Sequence, residues 1–172
     1  MKKIFAILMA LCLFCGAALA EPVEINWADL EPALEQSGVA GDFVTFDEVA
    51  VKMWLPSELH AAELTDEDRE QGFIGYFTDD AGETVVSVVY ANVDGMSIED
   101  YATYLTNEGM KEVTPEIING LYGVEYQIPD QDSLSIAFAT EAGYILEVTM
   151  APLSVEGAEY VWGMVGASIQ PE

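Results

Sequence analysis

The sequence predicts an α+β fold: a single domain with a mostly antiparallel β-sheet of about seven or eight strands flanked by helices. Three observations predict it. Short runs of alternating apolar and polar residues recur along the chain, separated by turn signals such as Asp79-Asp80-Ala81-Gly82 and Asn119-Gly120. Capping residues mark helix starts at Thr65 and Ser97, and an apolar stripe at helical spacing closes the chain. No repeat, linker or low-complexity stretch interrupts residues 41–172, which read as one antiparallel domain behind an N-terminal helical segment at 21–40.

Residues 1–20 have the pattern of a secretory signal peptide. Lys2 and Lys3 precede an apolar run from Ile4 to Phe14, and Ala18 and Ala20 supply small residues ahead of Glu21. The run is too short to span a bilayer as a helix, so cleavage after Ala20 and a secreted or extracytoplasmic protein are expected. Cys12 and Cys15 both lie in the leader, which leaves a chain starting at Glu21 without disulfides or thiolate metal sites. A lipoprotein anchor is the competing use of Cys15, but Phe14 is large where a lipobox has a small side chain.

From Glu21 onward the chain carries 31 acidic residues against Lys52, Arg69 and Lys111, a net charge of −28 with His60 neutral. Such a charge repels nucleic-acid phosphates and anionic membranes, and the chain has no basic stripe with which to bind either. Cationic or neutral proteins, peptides or ligands are the partners it can attract, with weak and diffuse binding of divalent cations. The acids alternate with apolar residues instead of forming blocks, and a hydrophobic fraction of 51% supports a folded, soluble domain, expected as a monomer.

Apolar Trp27, Leu30 and Leu34 have helical spacing. Pro32 is acceptable only in a first turn, which predicts a helix from near Leu30 to Ser37-Gly38. Two strands follow, Asp42–Phe46 and Val49–Leu55, ended by Pro56. Thr65 caps a short helix with acids in its first turn. Phe73–Thr78 and Thr84–Ala91 form a hairpin, and the nearly all-apolar second run belongs in the middle of the sheet. Ser97 caps a helix with Ile98, Tyr101, Ala102 and Leu105 on one stripe, ending at Gly109.

Glu112–Ile118 turns through Asn119-Gly120 into Leu121–Ile128, with Tyr122, Val124, Tyr126 and Ile128 on one face. Ser133–Ala139 follows with Leu134, Ile136 and Phe138 pointing one way, and Glu141-Ala142-Gly143 turns into Tyr144–Met150. Ser154 is the expected cap of a last helix whose Val155, Ala158, Trp162, Val165 and Ile169 form a single stripe against the sheet. Gly157, Gly163 and Gly166 weaken that helix, so packing must hold it.

This order of elements resembles PsbP-like domains over residues 42–170. The resemblance is carried by Phe46 with Val51-Lys52-Met53-Trp54-Leu55-Pro56, the Ser97 helix after a central strand and the Asn119-Gly120 hairpin. Gly143-Tyr144-Ile145-Leu146 and the closing Ser168-Ile169 add to it. It implies an antiparallel sheet sandwiched between helices, a superfold that also occurs in exported bacterial proteins, and a binding or accessory role. It carries no catalytic motif onto these positions.

No catalytic residue, metal ligand or cofactor is assigned. Glu58, His60 and Glu63 do not share a helical face and would need a further metal ligand from elsewhere. Asp66-Glu67-Asp68 and Asp130-Gln131-Asp132 are oxygen-rich but lack the glycine and the final glutamate of an EF-hand loop, so a helix first turn and a solvated turn are expected. If the strands from Leu121, Ser133 and Tyr144 form a meander, Glu125, Ala137 and Glu147 fall in a row on one face. At about 4.8 Å per strand the two carboxylates then approach the separation used by inverting glycosidases. The small neighbours Ser133, Ser135 and Ala137 suggest instead that this face is open to water or lies under the N-terminal helix. Trp54, facing opposite to Met53, either marks a recognition surface or packs beneath that helix with Trp27. The favoured reading is a secreted, non-enzymatic binding or accessory protein with Trp54, Glu125 and Glu147 as candidate binding residues. The alternatives are a hydrolase using Glu125 and Glu147 and a structural subunit of a surface assembly.

Overall fold

A twisted sheet of eight strands organises the chain, which a computed structural model describes over residues 22–140 and 144–172. The expected leader and the turn Glu141-Ala142-Gly143 lie outside the described residues. In chain order the elements are β1 (Val23–Ile25), α1 (Trp27–Ser37), β2 (Gly41–Phe46), β3 (Val51–Pro56), β4 (His60–Ala61) and α2 (Asp66–Glu70). β5 (Phe73–Thr78), β6 (Val85–Asn92), α3 (Ile98–Asn107), β7 (Lys111–Ile118) and β8 (Leu121–Gln127) follow. β9 (Leu134–Ala139), β10 (Tyr144–Ala151), α4 (Ala158–Ala167) and β11 (Gln170–Pro171) complete the chain.

The large sheet has the order β1-β7-β8-β9-β10-β6-β5-β4, and a small one has the order β11-β3-β2. Every pairing is antiparallel except that of β1 with β7. The fold is α+β with the last helix packed on the sheet, as the alternation predicts, and β6 lies inside the sheet between β10 and β5.

The two faces of the large sheet are covered differently. On one, Val86, Val148, Met150, Ile118 and Ile136 pack with Met53 of β3 and with Trp162 and Val165 of α4. On the other, α3 sets Ile98 and Leu105 over Val124, Tyr126, Ala137 and Ile145. The helix covering Ser135 and Ala137 is therefore α3, the Ser97 helix, and not the N-terminal one. Both residues are fully buried beneath it.

Local chemistry explains most boundaries. Thr65 and Asp68 form a reciprocal capping box at α2, and Ser97 Oγ accepts from the Asp100 amide at α3. Asn119 and Gly120 both adopt positive φ (49° and 83°), the backbone of a tight two-residue hairpin turn.

Three expectations are corrected. Segment 21–40 contributes a strand as well as a helix, because β1 pairs with the outer edge of β7. α1 starts at Trp27, ahead of Leu30, and holds Pro32 beyond its first turn; the Trp27 amide is secured by Asn119 Oδ1 at 2.7 Å. Ser154 does not cap α4, since its amide donates to Asp132 Oδ1 at 2.9 Å and its hydroxyl to Asp132 Oδ2. The helix begins after Gly157 in a left-handed conformation, which puts Val155 outside the helix and in solvent.

Candidate functional site

The register of the central strands decides the fate of the carboxylate pair. Across β10 and β9, Glu147 stands opposite Ala137, as the alternation predicts. Across β9 and β8, however, Ala137 faces Val124, and Glu125 faces Ile136. Cross-strand partners share a face and neighbours along a strand do not, so Glu125 and Glu147 lie on opposite faces. They do not converge on one substrate, and the geometry expected of a glycosidase pair is absent.

Each carboxylate instead has its own setting. Glu147 lies under α3, where its Oε2 accepts from Tyr101 Oη at 3.1 Å and from Tyr126 Oη. Burial, then the Glu147 charge, pushes both phenols well above the ordinary tyrosine range, so they remain donors at physiological pH. Glu125 lies on the opposite face with Glu116, its diagonal neighbour on β7. Glu116 is fully buried, and neither of its carboxyl oxygens has a hydrogen-bond partner among the described residues. Burial, reinforced by Glu125, raises its pKa; burial, reinforced by Glu112, raises that of Glu125. These acids hold protons where ordinary carboxylates do not. The sequence signal for Glu116 is its parity on β7, where it alternates in phase with the core residue Ile118.

Trp54 is buried, at 4% exposure, so it is not a surface recognition residue. Its backbone amide donates to Ser168 Oγ at 2.8 Å, and Gly41 lies against its indole ring. His60, on edge strand β4, has Nε2 3.5 Å from Asp80 Oδ1 in a solvent-exposed pair. The oxygen-rich stretches do structural work: Asp68 caps α2, while Asp132 accepts from the amides of Leu153 and Ser154. Hydrogen bonds from Thr65 hold the Asp68 carboxyl below its usual range.

A groove of about 280 Å³ opens where the end of β3, the β5–β6 hairpin and the approach to α4 meet. Its lining includes apolar Val39, Leu59, Val155 and Val161 together with the acidic Glu58, Asp79 and Glu156. Among the described residues, no lysine or arginine lines it. These residues are far apart in sequence, so no local pattern announces the site.

No protein-family model and no curated protein matches the chain. Among solved structures it is similar to cyanobacterial PsbP (CyanoP) from Synechocystis, with a TM-score of 0.57 and 10% identity over 78% of this chain and 94% of that one. It is also similar to the Saccharomyces cerevisiae Ran-binding protein Mog1p, with a TM-score of 0.45 and 11% identity over 77% of this chain and 95% of that one. The fold is PsbP-like.

Proposed function

We propose that the protein is an exported, non-enzymatic binding or accessory protein that recognises a cationic partner through its acidic surface. The observation that carries this reading is the charge of −28 on the chain from Glu21, with only Lys52, Arg69 and Lys111 to offset it. A field of that sign steers basic proteins and peptides toward the surface and keeps polyanions away. The separation of Glu125 from Glu147 across the sheet removes the geometric basis of the hydrolase alternative.

The test is the salt dependence of association with a basic peptide probe such as oligolysine. Binding is expected at low ionic strength and should weaken steeply by about 0.15 M salt, where charges beyond ~8 Å are screened. Duplex DNA should not bind under the same conditions. Tight, stoichiometric calcium binding with a marked rise in Tm would overturn the reading, because the carboxylates would then form a specific metal site. Export is checked separately by the intact mass of the released protein, which should begin at Glu21.

A further inference from the structure

Among the described residues, the large hydrophobic side chains left in solvent include Val155, at 58% exposure, and Val39, at 37%. Both line the groove beside α4, and acidic residues from three separate parts of the chain line it with them. We infer that this groove is the docking site for an extended segment of a basic partner protein. One apolar side chain of that segment rests against the apolar lining, and an adjacent lysine or arginine pairs with the carboxylates. The inference rests on the binding reading above and adds its location and its ligand chemistry.

The charges select a cation. Glu58 extends from the loop after β3, Asp79 from the β5–β6 hairpin and Glu156 from the loop before α4, with no basic side chain among the lining residues to neutralise them. Asp79 is held in place by the Glu83 amide, which donates to its Oδ1 at 2.9 Å. Hydrogen bonds from Thr84 and Glu83 keep its carboxyl below the usual range, so it is charged at any working pH. The start of α4 borders the groove, and a helix N-terminus ordinarily attracts anions. Here the Ala158 amide already donates to the Val155 carbonyl, and the Tyr160 and Val161 amides to that of Gly157. Little donor capacity remains for an anion.

The apolar lining selects an aliphatic contact. Trp162 belongs to the lining but is only 2% exposed, so no aromatic face is presented for a quaternary ammonium cage. The volume of about 280 Å³ falls at the lower edge of small-molecule sites, which span roughly 300–1,000 Å³. It suits one or two side chains of a longer segment. A lysine or arginine meets both demands, because its methylene stem lies along apolar surface while its head reaches the carboxylates.

The experiment measures fluorescence anisotropy of a labelled peptide alternating lysine and leucine, at low salt, with the complete protein. Glu58→Gln with Glu156→Gln should raise Kd by about tenfold, and Val155→Ser by several-fold. Glu99→Gln with Glu108→Gln removes equal charge from α3 and its C-cap, on the other face of the sheet, and should change Kd less than about twofold. A peptide with serine in place of leucine should bind more weakly than its parent. If the α3 pair weakens binding as much as the groove pair, or the serine peptide binds equally well, the groove is not the site and only the general acidic reading stands. If the wild-type protein fails to bind the lysine–leucine peptide at all, the general reading falls as well.

Discussion

The backbone amide of Trp27 donates to Asn119 Oδ1 at 2.7 Å, joining the first turn of α1 to the β7–β8 hairpin. The same side chain donates from Nδ2 to the carbonyls of Ala167 and Ile169, at 2.8 and 2.7 Å. One turn residue therefore satisfies three backbone groups on two distant segments, while adopting the positive φ that its hairpin requires. Asn119→Ala should destabilise the fold by about 3 kcal/mol, since it strands those groups and strains the turn. In a chain of this size that is a fall in Tm of roughly 6–12 °C. Asn119→Asp keeps the turn and the acceptor but sets a carboxylate against two carbonyl oxygens, so it should be as damaging near neutral pH and milder in acid. A loss below about 1 kcal/mol for the alanine variant would mean that water replaces Asn119 without difficulty.

Glu116 and Glu125 make stability depend on pH in a direction opposite to that of a salt-bridged carboxylate. Burial first, then neighbouring charge, raises Glu116 to about 9 and Glu125 to about 7, from an ordinary value of 4.5. A group whose folded pKa lies above its unfolded one contributes stability that is full below the unfolded value and is lost as pH rises through the folded value. Stability should therefore decline between about pH 5 and pH 9, although the exposed acids are already ionised across most of that range. Thermal melts should show Tm falling steadily from pH 5.5 to pH 9. Glu116→Gln, which cannot ionise, should flatten most of that slope. A pH-independent Tm in the wild-type protein would show that the Glu116 carboxyl reaches water.

Tyr126 and Glu147 form a charge-assisted hydrogen bond beneath α3, with Tyr101 donating to the same oxygen. Tyr126 is nearly fully buried, so Tyr126→Phe leaves its volume intact while taking one donor from the carboxylate. The expected loss is about 1.5–3 kcal/mol, read from urea unfolding midpoints at constant m. Glu147→Gln should lose less, because an amide oxygen still accepts both bonds. Combining the two changes should give less than the sum of the single effects, with a coupling of about 1 kcal/mol. Strict additivity would mean that the two side chains do not interact.

Features written in neighbouring residues are legible in the sequence. Thr65 with Asp68, Ser97 before its helix, and Asn119-Gly120 each complete their chemistry within a few positions. The face on which Glu125 lies is not legible, because parity across the Pro129–Ser133 connection depends on where β9 starts pairing. A one-residue slip there moves a side chain through the sheet. Glu147 does stand against Ala137, as expected. Ser154 has the local pattern of a cap, yet Asp132, 22 positions away in the chain, takes both its donors. The groove is invisible in the sequence for the same reason: its lining is assembled by tertiary contacts alone.

Two tightly placed glycines should respond differently to the same substitution. At Gly41 an added Cβ would lie deep inside the van der Waals surfaces of the Leu55 carbonyl oxygen and of two atoms of the Trp54 ring. A backbone carbonyl paired across β2 and β3 and a buried indole cannot both retreat, so Gly41→Ala should destabilise by about 3 kcal/mol or more. At Gly166, inside α4, the added Cβ would meet only Ile136 Cδ1, at 2.6 Å. That atom is the end of a side chain, and alanine gains about 1 kcal/mol over glycine in a helix interior. The two terms nearly cancel, and Gly166→Ala should stay within about 1 kcal/mol of wild type. Ile136→Val removes the opposing methyl, so in that background Gly166→Ala should stabilise by about 1 kcal/mol, filling the vacated space while keeping the helix gain. If Gly166→Ala remains destabilising when combined with Ile136→Val, the approach of α4 to the sheet is set by its backbone and not by the tip of Ile136.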